Sequence, residues 1–190
     1  MSEGIEKLHQ DLVVLEAMVA EMADYLRSEV LFWPMVASGL PKLTLGGYFM
    51  RQHRLEGLAG LLTEEEQERL DTAVLTFNIT TNEKVVRLEE RAHTELEARI
   101  RQWGQSLNEF KGESSLSYYR TAVEARLMID RLVHKLQTAP FQLNPRLLPQ
   151  VQLLDVNLSH QWRSGDFIWP DEWQPAYPRT EFWWLYGRPK

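Results

Sequence analysis

The sequence predicts an all-α fold: an antiparallel up-and-down four-helix bundle with a long third helix, followed by an extended, aromatic, proline-rich C-terminal arm. Three observations carry that expectation. Apolar residues recur at spacings of three and four through roughly the first 140 positions, as amphipathic helices require. No proline falls between Pro41 and Pro140. Seven of the nine prolines and five of the seven tryptophans lie within residues 140–190. The chain therefore divides into a helical bundle over 1–139 and an arm over 140–190 that packs on the bundle or on a second chain.

Ile5, Leu8, Leu12, Leu15, Val19, Met22 and Leu26 form one stripe of a first helix over about 3–32, which Phe32-Trp33-Pro34 stops. After a turn-rich connection through Gly39-Leu40-Pro41, a second helix is expected over about 44–61, with Leu45, Tyr48, Leu55, Leu58 and Leu62 apolar. Gly46, Gly47, Gly57 and Gly60 each cost about 1 kcal/mol of helix propensity relative to Ala, so some of them mark close helix approach or a frayed end. Thr63-x-x-Glu66 is a capping box that opens the third helix, with Glu64, Glu65 and Glu66 where the helix dipole favours negative charge. The apolar pattern then continues from Leu70 to Phe110, giving a helix of about 48 residues, or about 70 Å at 1.5 Å per residue.

That length exceeds a compact bundle. A kink or break is expected in Ile79-Thr80-Thr81-Asn82-Glu83, where Thr80 and Glu83 have the spacing of a second capping box; the alternative is a helix protruding into a dimer. Gly112 ends the run, and a fourth helix covers about 114–138, with Tyr118, Ala122, Ala125, Ile129, Val133 and Leu136 facing inward. Beyond Pro140 the period fails. Val151, Leu153, Val156 and Leu158 suggest a short strand, although Leu154 breaks the alternation, and prolines at 170, 175 and 178 preclude a helix.

Composition excludes several functions. The net charge of −6 argues against non-specific nucleic-acid binding, which needs many cations to neutralise phosphates. The acidity is uneven: residues 1–71 carry 13 Asp/Glu against 6 Lys/Arg, while 72–190 carry 14 against 15. With no cysteine there are no disulfides, thiolate metal ligands or cysteine nucleophiles. The N-terminus has no basic flank with an apolar core, and no run reaches the ~18–20 apolar residues of a membrane span, so a cytoplasmic protein with no membrane partner is expected.

Each predicted helix holds one histidine beside a carboxylate: Glu6 and His9, His53 and Glu56, Glu90 and His93, Asp130 and His134. Carboxylate-bridged di-metal bundles use Glu-x-x-His because residues three apart point to one side of a helix. His9 and His53 fall about 21 Å apart in level along a straight hairpin and cannot share a metal. His93 and His134 fall within about 3 Å of one level. With Glu89, Glu90 and Asp130 nearby they are the metal candidates. Neither histidine lies at the centre of its apolar stripe, and ordinary salt bridges with carboxylates and Arg131 are the simpler reading. No cofactor is expected. No catalytic residue is assigned, since there is no Gly-x-Ser-x-Gly elbow and Gly46-Gly47 lacks the context of a phosphate loop.

Two features remain. Phe167, Trp169, Trp173, Tyr177, Phe182, Trp183, Trp184 and Tyr186 are more aromatic surface than a solvated tail exposes, so the arm fills a groove of the bundle, staples a homodimer, or presents rings to a partner. The segment from Leu43 to Leu55 gathers Arg51, His53 and Arg54 behind Gly46-Gly47. It holds an anion at a helix start, or its glycines admit a bulky ring such as Trp33 while its arginines pair with acidic helix one; packing is the simpler reading. The resulting expectation is a non-catalytic, self-associating interaction or scaffolding protein stapled by its arm. The alternative is a metal- or ligand-binding bundle or enzyme with its site near His93 and His134.

Overall fold

The computed structural model of the chain describes residues 2–110 and 116–190. Helices dominate: α1 (Glu3–Arg27), α2 (Leu45–Gly57), α3 (Glu64–Asn82), α4 (Val85–Glu109), α5 (Leu116–Gln137) and α6 (Leu147–His160). Two short strands, β1 (Trp162–Phe167) and β2 (Tyr186–Pro189), pair antiparallel near the C-terminus, with a register shift between Ser164 and Phe167. Short 3₁₀ segments at Ala59–Leu61, Asp171–Ala176 and Trp183–Leu185 are the remaining regular elements among the described residues.

α1 begins at Ser2, whose side chain accepts a hydrogen bond from the Ile5 N–H. It stops at Arg27 rather than near 32, because side chains of α4 take up its free carbonyls. Arg87 Nε donates to Leu26 O at 2.9 Å, and Arg91 Nη1 donates to Val30 O at 2.6 Å just beyond the end. Two guanidinium groups at a helix C-terminus satisfy orphan acceptors and complement the dipole together. The Thr63–Glu66 capping box is present in both directions, with Thr63 Oγ1 accepting from Glu66 N and Glu66 Oε2 accepting from Thr63 N.

The long third run breaks where β-branched residues cluster, α3 ending at Asn82 and α4 starting at Val85. The second capping box does not form. Lys84 stands at the N-cap of α4 without a side-chain bond, and Thr81 Oγ1 donates back to Phe77 O at 2.9 Å inside α3. The break sends the two halves to different neighbours, α3 to α1 and α4 mainly to α5 and α6. α4 and α5 run antiparallel: Phe110 at the end of α4 packs on Tyr119 near the start of α5, at 5.3 Å between ring centroids. At the opposite end, the chain leaving α5 bonds back to Glu89 and His93. The stop expected at Gly112 lies outside the described residues.

The arm departs from its expected form at its start. Residues 147–160 are helix, not strand: Leu147, Val151 and Leu158 are buried, and Leu154 packs against the same core. These four sit at helical spacing, so the leucine that broke the strand alternation belongs to the helical face. Pro149 falls in the first turn, where its missing N–H costs no intrahelical bond. Pro175 sits inside the 3₁₀ segment Asp171–Ala176, a short tight turn rather than an α-helix.

One continuous apolar core runs through helices and arm, from Leu8 and Phe77 to Trp103, Tyr177 and Trp184. Among the described residues no helix is long and apolar enough to cross a membrane.

Candidate functional site

Polar side chains interrupt the apolar faces of three helices at one place. On α1, Asp11 shares the inner stripe with Leu8, Leu12 and Leu15 and is buried. On α2, Arg51 and Arg54 lie one turn apart, and Arg54 is only 3 % exposed. Glu124 enters from α5, and Trp173 and Tyr177 come from the arm.

Asp11 ties the arginines together: Arg54 Nη1 donates to its Oδ2 at 2.6 Å, and Arg51 Nε lies 3.2 Å from its Oδ1. Arg54 Nε donates to the Tyr177 hydroxyl at 2.9 Å, and its guanidinium carbon stands 3.8 Å from the Trp173 ring centroid. The Arg54 Nη2 amine has no hydrogen-bond partner, although it is buried. Such a group costs about 1–3 kcal/mol or more when left unmade. Glu124 likewise forms no hydrogen bond or ion pair among the described residues. Burial pushes its carboxyl above the usual range, and the Arg54 and Arg51 charges pull it back.

Asp11, Arg51, Arg54 and Glu124 line a cleft of about 890 Å³, whose apolar walls include Val14, Leu40, Pro41, Met50 and Trp173 and whose rim includes Lys7, His9 and Gln10; Tyr177 stands behind Arg54. A second cleft of about 560 Å³, between α1, α5 and the arm, shares Lys7, Glu124 and Trp173 with the first. The arm is thus a wall of the site as well as core. Trp173 Nε1 donates to Gly4 O at 2.9 Å, holding the indole between α1 and α2. His53 braces the same wall. Its Nε2 lies 2.9 Å from Ala176 O, and Arg131 Nη1 lies 3.1 Å from its Nδ1, so Nε2 carries the proton. Burial and then the Arg131 charge push its pKa down to about 4.

The segment behind Gly46-Gly47 does hold an anion at a helix start, and the chain supplies it. Glu95 of α4, fully buried, accepts from Gly46 N at 2.9 Å and pairs with Arg99 at 3.2 Å. A Cβ on Gly46 would stand 2.6 Å from Glu95 Oε1, and one on Gly57 would stand 2.9 Å from Ala176 Cβ. Close approach therefore accounts for both glycines. The ring expected there is elsewhere: Trp33 Nε1 donates to Glu21 at 2.8 Å.

The metal candidates do not converge. No hydrogen bond or ion pair joins His93 to His134. His93 Nδ1 donates to Glu89 O at 2.9 Å, and its Nε2 accepts from the Asn144 N–H at 3.0 Å. Glu89 Oε2 accepts from Gln142 N, Asp130 pairs with Arg131, Glu90 lies 3.5 Å from Arg87, and His134 is exposed. Both nitrogens of His93 are thereby committed, Nδ1 to a carbonyl of its own helix and Nε2 to the connector between α5 and α6. No group of three or more His, Asp or Glu side chains suited to a metal exists among the described residues.

Of the arm residues, Phe167, Trp169, Trp173, Tyr177, Phe182, Trp184 and Tyr186 are buried, and Trp183 is half-buried. Arg51 and Arg54 were singled out by the sequence, and they do pair with helix one, through Asp11; Asp11 and Glu124 were not singled out. The available signal was a charge inside an apolar stripe, as at Asp11 between Leu8 and Leu15. No protein-family model, curated protein or solved structure matches this chain.

Proposed function

We propose that the protein binds a small molecule in the cleft between α1, α2, α5 and the arm, with the arm as structural staple and cleft wall. The observation that carries this reading is Arg54: an enclosed guanidinium, oriented by Asp11, Tyr177 and Trp173, with one amine left free of partners beside the cleft. Few convergent polar groups among apolar walls are the usual composition of a ligand site. No catalytic role is assigned, and the protein is taken as cytoplasmic, without nucleic-acid or membrane partners.

Thermal unfolding against a library of small molecules tests the reading. Ligands should raise the melting temperature by mass action, and Gln10→Trp, which fills the exposed rim without touching the core, should abolish the response while leaving the unliganded melting temperature in place. Hits that survive the Gln10→Trp substitution would move the site elsewhere, and a library without hits would remove it.

A second reading keeps the self-associating scaffold, with an up-and-down bundle stapled by exchanged arms. It is supported by the largely exposed connector over 137–146, beyond which the Arg126–Asp155, Tyr119–Trp184 and Arg54–Tyr177 contacts offer the same partners to a second copy. Light scattering on the full chain tests it: a dimer supports it and a monomer overturns it.

A further inference from the structure

We propose that the ligand of this cleft is a monocarboxylate with an apolar body, and that it enters together with one proton, which Glu124 holds. The inference rests on the cleft reading above and names its ligand class.

The argument begins with charge. Arg51 and Arg54 share one fixed anion, Asp11, which leaves one positive charge unmatched beside the cleft. Other charged groups facing Glu124 are engaged or lie at the rim. Lys7 of α1 pairs with Glu3, Arg99 of α4 with Glu95, and Arg120 lies with Asp171 and Glu172 along the second cleft. The unmatched charge is therefore balanced by an ionised Glu124 in the empty protein, or by an external anion. It cannot stabilise both, because a second negative charge in a partly desolvated site meets repulsion with nothing to offset it.

Geometry separates the two anions. Glu124 stands beyond ion-pair distance from both arginines, while interacting with them by charge. Arg54 Nη2 is a free donor in that neighbourhood. A ligand carboxylate reaching Nη2 makes the charge-assisted bond that Glu124 does not make, and a guanidinium suits carboxylate geometry. Once Glu124 is protonated its hydroxyl becomes a donor toward the incoming anion. Its position on the second cleft as well as the first provides solvent access for the proton. Burial disfavours the charged form of Glu124, which is the direction that proton uptake requires.

The wall residues set the rest of the ligand. Leu40, Pro41, Met50 and Trp173 offer apolar surface for a flat or branched hydrocarbon body, and a single unmatched charge selects a monoanion over a dianion.

Benzoate, uncharged benzamide and cationic benzamidine are suitable probes of one shape. Titration calorimetry over a pH series, in paired buffers of different ionisation heat, reads both affinity and proton uptake. Benzoate alone should bind, with uptake approaching one proton at the alkaline end and affinity falling toward tenfold per pH unit there. Glu124→Gln, which fixes the neutral form, should bind benzoate with pH-independent affinity and no uptake. Benzoate binding at one affinity throughout overturns the proton coupling but leaves the cleft as a binding site. Uptake that persists in Glu124→Gln places the proton elsewhere and also overturns it. Binding of benzamide or benzamidine instead overturns the acid class, and silence of all three overturns the whole inference, while a library hit lost in Gln10→Trp would still uphold the cleft.

Discussion

Asp11 carries more of the architecture than its size suggests. It pairs with Arg51, accepts a hydrogen bond from Arg54, and through Arg54 reaches Tyr177, 166 positions along the chain. Removing one partner of a buried charge pair leaves the other uncompensated, which is worth about 3–5 kcal/mol. Asp11→Asn should therefore lower the urea midpoint severely, whereas Tyr177→Phe, which deprives only Arg54 Nε of its acceptor, should cost about 1–3 kcal/mol. Equal losses in urea titrations would contradict the hierarchy. His53 supplies a pH test. Its folded pKa lies below its ordinary 6.5, at about 4, so the unfolded chain takes up the proton first as pH falls. Stability contributed by neutral His53 is complete above about 6.5 and is lost as pH falls toward about 4. His53→Gln should flatten the melting temperature against pH in that window relative to the parent chain. Buried Glu95 and partly buried Glu124, both held above the usual carboxylate range, act with the opposite sign, and the difference curve cancels them. These polar roles were poorly legible beforehand, since periodicity reports which face is apolar but not which charge on that face finds a partner from another helix.

At the level of elements, local chemistry was the most legible part. The Thr63 capping box and the break after the threonine-rich segment are set by residues within one turn of each other, and both stand where they were expected. The C-terminus of α1 was misjudged because its stop depends on Arg87 and Arg91, about 60 residues away. α6 was misjudged for a different reason. Val151, Leu153, Val156 and Leu158 imitate alternation only if Leu154 is set aside, and a short apolar run does not separate the two periods by itself. The helix makes a discriminating prediction. Leu153 is 61 % exposed, whereas Leu158 is fully buried, so Leu153→Glu should change stability by no more than about 0.5 kcal/mol while Leu158→Ala costs about 2–5 kcal/mol. A strand with 151 and 153 on one buried face would make Leu153→Glu the damaging change, and chemical denaturation of the two variants decides between them.

For the whole molecule, the question is what the arm does for the helices before it. Seven of its eight named large rings are buried, and they occupy one core with the helices rather than a core of their own. Burying each is worth about 1.5–3 kcal/mol, while a domain is stable by only about 5–15 kcal/mol, so the helices without the arm have no margin. A chain ending at Ala139 should keep much of its far-ultraviolet helical signal, lose near-ultraviolet aromatic signal and cooperative melting, and bind a hydrophobic dye. The truncation also exposes Arg54 by removing Tyr177 and Trp173, so loss of the cleft and loss of the core come together. Dilution then separates an arm packed on its own helices from one exchanged between copies. For an exchanged arm, the melting temperature of the full chain falls as protein is diluted, because folding is then coupled to association. For an arm packed within its own chain, it stays constant. We expect a constant value over a hundredfold dilution, or about 2.7 kcal/mol of mass-action leverage, since Gln142 and Asn144 bond the connector to Glu89 and His93 and turn the chain back along α4 before α6 begins.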